Sequence, residues 1–331
     1  MAVLITGVAG FIGSACADAL SSQGQEIVGI DTFDELLYPR AIKERNLAWA
    51  RRQRHFRFAE IDVTNPVTLA RLFTEHPIDR VIHLAALAGV RPSIRSPGRY
   101  FDVNATGTSC LLQAATNAGV RKYVIASSSS VYGGNKKVPF SEDDPVVHPI
   151  SPYAASKCAT ELLVHAHCHL HQADASLLRF FTVYGPRQRP DMAIHKFMRC
   201  IAAGQPIKMF GDGSSSRDYT YISDIVAGTL SALDRAHGYR VYNLGGDRVT
   251  RLCDLIAQIA SVVGREATID RVPCQPGDMP VTMADLGRAR SELRYDPEVD
   301  LTTGLREMWA WMKGEYREGV AVSGATLRRA G

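Results

Sequence analysis

Cysteine is scarce in this chain: seven residues in 331, at Cys16, Cys110, Cys158, Cys168, Cys200, Cys253 and Cys274, odd in number, widely spaced and without a CxxC pair. That pattern excludes a disulfide scaffold and a cysteine-based zinc site, and it fits a reducing compartment. Long apolar runs are missing as well; none approaches the roughly 18 residues that a spanning helix needs, so membrane insertion is not expected. Neither sign of charge dominates. Lys and Arg number 38 against 34 Asp and Glu, a net +4 without basic blocks, so nucleic acid is not implied, although a phosphate-bearing small ligand suits a mildly basic chain. Repeats and low-complexity segments are absent. The N-terminus has no basic region followed by a cleavable apolar stretch, and Ala2 to Thr6 reads instead as a first strand, so a cytoplasmic location is expected. What the chain does have is 46% hydrophobic residues and length for about two domains, enough to bury an α/β core without crosslinks.

Short apolar runs recur at VLIT from Val3, EIVGID from Glu26, HFRFAEID from His55, RVIHLAA from Arg80, KYVIASS from Lys122 and ASLLRFF from Ala175. Near-continuous hydrophobic runs, rather than strict alternation, mark strands covered on both faces. Helical stretches separate them, one closed by Gly24 and one opened by Ser151 as N-cap with Pro152 at N1. The sum is a doubly wound parallel sheet. After about residue 180 the alternation gives way to Pro and Gly punctuation, with helices expected at Met192–Ala203, Asp224–Arg235, Leu252–Val263 and Leu301–Lys313. Residues 1–180 are therefore expected to form the dinucleotide-binding domain, joined later by a returning segment over about 205–237. Residues 181–313 are expected to form mainly a smaller α/β substrate-binding lobe, and 314–331 a loosely ordered tail.

Directly after the first strand comes GVAGFIG, with Gly7, Gly10 and Gly13 opening a helix. Glycine permits a tight turn and close approach of the backbone to a pyrophosphate, and the helix N-terminus offers free N–H groups at its positive end. Turns also use glycine, but the second strand ends at Asp31, where a carboxylate can accept from the adenosine ribose hydroxyls. An aspartate there repels a 2′-phosphate, which favours NAD over NADP. Asp62 and Val63 at the third strand end, and Leu84, Ala85 and Ala86 at the fourth, extend the same site, although Asp62 could equally cap the next helix.

The fifth strand runs into ASSSSVYG (Ala126 to Gly133), and SPYAASK then places Tyr153 and Lys157 at i and i+4 on one helix face. With GxxGxxG, the serine-rich strand end and YxxxK in this order, the chain resembles the extended short-chain dehydrogenase/reductase family, specifically its nucleotide-sugar epimerases and dehydratases. The resemblance continues through RFFTVYGP (Arg179 to Pro186), GDGSSSRDYTYISDI (Gly211 to Ile225) and PGDMPVTMADLGRARSELRYDP (Pro276 to Pro297). It implies a Rossmann-type fold and a catalytic set of Ser128, Tyr153 and Lys157, with Ser127 an alternative to Ser128 because four serines stand in a row. It also implies that Phe11, Ile12 and Asn104 join the cofactor contacts, together with Tyr153 and Lys157. A phenol titrates near 10, so a depression of about 3 units, roughly 4 kcal/mol supplied by Lys157 and the nicotinamide charge, is expected to make Tyr153 a usable base.

Dehydratases of that family carry an acidic pair after the Ser/Thr, and decarboxylating members a Glu two positions after it; here Ser129 and Ser130 stand there. The resemblance therefore implies C4 oxidation and re-reduction, that is, 4-epimerisation. Thr182, where neutral-hexose epimerases usually have Asn, and the following RPDMA segment imply UDP-glucuronate converted to UDP-galacturonate. Ser129, Ser130 and Thr182 are expected around the C5 carboxylate, with Arg189 and Arg91 as cationic support. Arg217 matches the diphosphate-binding Arg and Asp278 a residue near the UDP ribose and phosphates, while Gln275 stands where hexose epimerases have a second Arg. Asp143 and Asp144 read as turn and capping residues.

Alternatives are a UDP-glucose or other UDP-hexose 4-epimerase, a UDP-glucuronate decarboxylase and, from another class, a catalytically silent NAD-binding regulator. His165, His167, His169 and His171 form two i,i+4 pairs, a spacing that can bind metal. They lack a nearby carboxylate, and epimerisation needs no metal. No metal is expected, and the helix face is expected to pack in a homodimer with the preceding helix around Val103 to Ala118.

Overall fold

The computed structural model describes residues 1–273 and 279–317. Thirteen strands occur among them: β1 (Ala2–Thr6), β2 (Ile27–Asp31), β3 (Phe56–Glu60), β4 (Ile78–His83), β5 (Lys122–Ser128), β6 (Asp174–Phe180), β7 (Thr182–Tyr184), β8 (Ile207–Phe210), β9 (Ser216–Tyr221), β10 (Tyr239–Leu244), β11 (Val249–Arg251), β12 (Ile269–Val272) and β13 (Val281–Thr282). Seven of these pair in parallel in the order β10-β6-β5-β4-β1-β2-β3. The six apolar runs are its first six strands, and every residue of β1 and β2 is buried, as expected of a sheet covered on both faces.

The helices are α1 (Phe11–Ser22), α2 (Arg40–Asn46), α3 (Pro66–Glu75), α4 (Val90–Arg95), α5 (Pro97–Phe101), α6 (Gly107–Asn117), α7 (Pro152–His171), α8 (Ala193–Ala202), α9 (Ile222–Asp234), α10 (Leu252–Val263) and α11 (Leu301–Arg317). On one face of the sheet α1 packs beside α9; on the other, α3 packs on α6 and α6 on α7. Val3 and Ile5 of β1 enter the first core, Ala2 and Leu4 the second, so the period-two alternation of the strand divides its side chains between two helical layers. Helix α7 starts where the caps predict: Pro152 is its first residue and Ser151 Oγ accepts from the Ala154 N–H at 3.1 Å, an interaction worth about 1 kcal/mol.

Two sequence expectations are corrected. The chain returns to the large sheet through α9 and β10, residues 222–244, rather than over 205–237. Strands β8 and β9 lie outside that sheet: β8 pairs with β12, and β9 with β7, β11 and β13. The tail does not begin at Gly314, because α11 continues to Arg317 and Glu315 reaches Arg45 at 3.4 Å; residues 318–331 lie outside the described residues. Among the described residues no helix is long and apolar enough to cross a membrane.

Candidate active site

Strand order reverses direction between β1 and β4, and ligands of open parallel sheets lie beyond the carboxyl ends at such a point. A cavity of about 580 Å³ opens there. Gly7, at φ +67°, begins its floor: a Cβ on Gly7 would sit 2.7 Å from the Ala85 nitrogen, and one on Gly13 2.2 Å from the Gly7 oxygen. The turn therefore admits no side chain at either position and lets a ligand lie against bare backbone. Gly10 caps α1 without a side-chain hydrogen bond, and the first turn has no acidic residue, so the positive helix end is open to phosphate oxygens. Asp31 closes the far end: its Oδ2 accepts from Ala9 N–H at 3.1 Å and its Oδ1 from Phe33 N–H at 2.8 Å. Lys43 Nζ stands 3.8 Å from Asp31 Oδ1. This cradle fits a dinucleotide, with pyrophosphate on the glycine turn and a ribose at Asp31.

Of the expected cofactor residues, Gly7, Gly10, Phe11, Ile12, Gly13, Asp31, Asp62, Val63, Leu84, Ala85, Ala86, Tyr153 and Lys157 all line the cavity. Asp62 also holds a turn, accepting from the N–H and hydroxyl of Thr64 at 2.8 Å, whereas Asn65 is the residue that caps α3. Asn104 does not line the cavity, which corrects its expected place. It is buried in a π-helical turn, Asp102–Thr106, where its side chain accepts from Leu87 N–H at 2.8 Å and donates to Leu87 O at 3.0 Å and Ser156 Oγ at 2.9 Å. It shapes the cavity wall through Leu87.

Ser128, Tyr153 and Lys157 converge at the end of β5. Ser127 Oγ is committed to Glu161 Oε1 at 2.5 Å, while Ser128 Oγ donates to Ser130 Oγ at 3.2 Å and acts on the buried Tyr153 phenol; this leaves Ser128, rather than Ser127, to serve the phenol. Lys157, 4% exposed, donates from Nζ to the Ala126 carbonyl at 2.9 Å. Burial pulls its pKa down to about 8, against the raising effect of Glu161. The expected depression of Tyr153 is not what the protein alone produces: burial raises the phenol above its ordinary value, while the Ser128 hydrogen bond and the Arg189 charge lower it. Desolvation outweighs them in this buried pocket, and Lys157 is not among the groups that shift it.

Ser129, Ser130, Thr182 and Arg189 also line the cavity. Ser130 N–H donates to Ser128 Oγ at 3.2 Å, which folds the serine run into a tight turn. Arg189 is forked on Asp191, with Nε and Nη2 each 3.0 Å from a carboxylate oxygen. Arg91 and Arg217 stand outside the cavity lining: Arg91 lies over the Phe210 ring at 4.4 Å, and Arg217 Nη1 donates to Ser216 O at 2.9 Å. Asp278, Gln275 and Cys274 lie outside the described residues. Asp144 holds its turn by accepting from Ser141 N–H at 2.9 Å, and Asp143 pairs with Arg288 at 2.6 Å.

Tyr38, Lys43, Arg99, Phe180 and Phe181 line the cavity without having been singled out from the sequence. The two phenylalanines carried a usable signal, standing at the carboxyl end of a parallel strand. Lys43 and Arg99 carried none, since nothing local ties Lys43 to Asp31 or Arg99 to Asp34. The histidine run of α7 holds two ring contacts, His167 with His171 at 4.7 Å and His165 with Tyr239 at 4.8 Å, and His167 Nε2 lies 3.2 Å from Thr116 Oγ1. Among the described residues no three His, Cys, Asp or Glu side chains are placed to share a metal ion.

A doubly wound parallel sheet with a glycine turn on β1 and a buried Tyr–Lys helix beside β5 defines a protein of the short-chain dehydrogenase/reductase class. Residues 3–245 match the NAD dependent epimerase/dehydratase family, and the chain belongs to it. Among curated relatives, a UDP-glucuronate 4-epimerase of Thermodesulfobacterium geofontis is 41% identical over 311 residues, covering 94% of this chain and 95% of the relative. Among solved structures, a UDP-glucuronic acid 4-epimerase of Bacillus cereus in complex with UDP-glucuronic acid and NAD aligns at TM-score 0.90 with 36% identity, over 96% of this chain and all of that one. A UDP-glucose 4-epimerase of Thermotoga maritima, solved with UDP-glucose, aligns at TM-score 0.88 with 30% identity over the same shares.

Proposed function

We propose that this chain is an isomerase that interconverts UDP-glucuronate and UDP-galacturonate by NAD-dependent 4-epimerisation. The observation that carries this reading is the lining of one cavity by Tyr153, Ser128 and Lys157 together with Ser129, Ser130 and Thr182, with hydroxyls rather than acids after Ser128. The high identity to a UDP-glucuronate 4-epimerase over nearly the whole chain supports the same substrate.

The glycine turn, Asp31, Val63 and Ala85 would hold the dinucleotide. When bound, it supplies a reversible two-electron oxidation at C4 of the sugar. Tyr153 Oη takes the proton of the C4 hydroxyl and later returns it to the C4 oxygen, once the 4-keto sugar has turned its opposite face toward the cofactor side of the cavity. Ser128 Oγ holds that oxygen in reach; Ser128 and the Arg189 charge work against the rise in phenol pKa that burial causes, and with the dinucleotide bound and water excluded the Lys157 ammonium would add to them. Ser129, Ser130 and Thr182 offer hydroxyl donors to the C5 carboxylate, with Arg189 as cationic support. Elimination or deliberate decarboxylation would call for an acid where Ser129 and Ser130 stand. Arg217 and Asp278 are assigned to the UDP side of the substrate, and Arg91 to cationic support of the carboxylate.

Residues 1–180 with 222–244 are assigned to cofactor binding and most of 181–317 to the nucleotide sugar. A cytoplasmic homodimer, joined through α6 and α7, completes the proposal; the exposed Leu162 and Leu170 of α7 are the apolar side chains it would cover. Incubation of the purified protein with UDP-glucuronate and, separately, UDP-glucose, with the products resolved by NMR, tests the reaction. UDP-galacturonate is the expected product; turnover confined to UDP-glucose overturns the substrate assignment.

A further inference from the structure

Behind the serine run lies an ion pair that does not line the cavity. Glu161 of α7 and Arg179 of β6 are 4% and 3% exposed. Arg179 grips the carboxylate twice, Nε to Oε1 at 2.9 Å and Nη2 to Oε2 at 2.7 Å, and Ser127 Oγ donates to the same Oε1 at 2.5 Å. The guanidinium also donates from Nη1 to the Tyr132 hydroxyl at 3.0 Å, which in turn donates to Asn243 Oδ1 at 2.6 Å. One network therefore joins α7, β5, β6, β10 and the turn after the serines. A fold does not need such a pair for stability, since apolar replacements of buried ion pairs are often neutral or better. Its placement serves the site in two ways. Ser127 sits opposite Arg179 in the β5–β6 register, and because successive strand side chains alternate, fixing Ser127 toward Glu161 turns Ser128 toward the cavity. Glu161 also follows Lys157 by four residues on the same helix, so its carboxylate stands one turn behind the ammonium.

We propose that Glu161, held by Arg179, is a positioning residue for the reaction: it aims Ser128 by binding Ser127, and its anion keeps Lys157 an ammonium. The inference rests on the roles given above to Tyr153 and Lys157. Burial works against the Lys157 charge and Glu161 works for it. Beside Lys157 stand Tyr153 on its own helix and His83 on β4; around Glu161 stand Arg179, Cys158 and Tyr239, and the Arg189 charge acts on Tyr153. His83, held between Thr6 and Thr108, is pushed by burial to about 3 and is neutral at working pH.

The test uses the holoenzyme and two readouts, the pH profile of kcat and the ultraviolet titration of the Tyr153 phenolate against a Tyr153→Phe control. In Glu161→Gln, Lys157 loses its proton at lower pH, so the alkaline limb of kcat is expected to move down by about one pH unit and phenolate formation to move up. Glu161→Asp, which keeps the charge, retains the wild-type limb. Should Glu161→Gln alone fail to fold, Glu161→Gln with Arg179→Met removes both charges together and is expected to show a smaller downward move of the limb, because the Arg179 cation that also disfavours the Lys157 charge goes with it. A lower kcat on an unchanged profile overturns the proposal. If the wild type does not turn over UDP-glucuronate, the substrate reading fails separately, and the phenolate titration still decides: a shift supports the positioning role and its absence overturns it.

Discussion

Lys157 Nζ donates to the carbonyl oxygen of Ala126, two residues before Ser128, at 2.9 Å. The bond seats a cation at the end of β5, beside the phenol proposed as the base, and it does so inside the protein, where a charge is expensive. That expense is measurable. Lys157 is lowered to about 8 from an ordinary 10.5, so between these values the unfolded chain binds more protons than the folded one, and stability rises with pH through that window. Below pH 8 both states carry the charge and the full penalty, about 3 kcal/mol, is present.

Lys157→Met is therefore expected to stabilise the cofactor-free protein at pH 7 by about 1–2 kcal/mol, after allowance for the unpaired Ala126 carbonyl, while abolishing turnover. Urea titrations at pH 7 and above pH 10 check it: the gain should vanish at the higher pH. A variant less stable than the wild type at pH 7 would contradict the sign.

Tyr153→Phe deletes the proposed proton acceptor and little volume. Turnover is expected to fall at least about 100-fold with NAD and substrate affinities nearly unchanged. Calorimetric binding beside product assays separates the two effects, and retention of more than a few per cent of the rate would make another group the base.

Asp31→Ala removes the acceptor of the Ala9 and Phe33 amides as well as the proposed ribose contact. NAD binding is expected to weaken by roughly 1.5–3 kcal/mol. An unchanged Kd would move the ribose site elsewhere.

Oxidation of glucuronate at C4 yields a β-keto acid, which loses carbon dioxide when the bond to the carboxylate aligns with the ketone π system. Hydroxyls of Ser129, Ser130 and Thr182 that hold the carboxylate near the ring plane would prevent that alignment. Thr182→Val, or Ser129→Ala with Ser130→Ala, is expected to raise the ratio of UDP-pentose and carbon dioxide to epimer. Slower epimerisation with no rise in pentose would sink the restraint.

Leu162 and Leu170 of α7 are 73% and 72% exposed. If the helix lies in a dimer interface, Leu162→Glu with Leu170→Glu should yield monomer in sedimentation velocity at concentrations where the wild type is dimeric. A wild type that sediments as a monomer removes the interface instead.

The strands, the glycine turn and the Tyr153–Lys157 spacing were legible in the sequence because each is a local property. Apolar runs mark buried strands, a turn at φ +67° selects glycine at Gly7, and four residues make one helical turn. Resemblance to known epimerases added Ser128 and Thr182 to the site, and the cavity holds both. Contacts between distant positions had no such local mark. Only the sheet order decided that the return to the large sheet comes through 222–244, and only packing placed Asn104 against Leu87, Lys43 beside Asp31 and Arg189 near Tyr153. The same holds for Glu161, Arg179 and Ser127: 34 residues separate Ser127 from Glu161 and 18 separate Glu161 from Arg179, and periodicity does not encode which charges meet across such gaps. Burial then settled the chemistry, raising Tyr153 and lowering Lys157, because the cost of a charge depends on the water that the folded chain excludes.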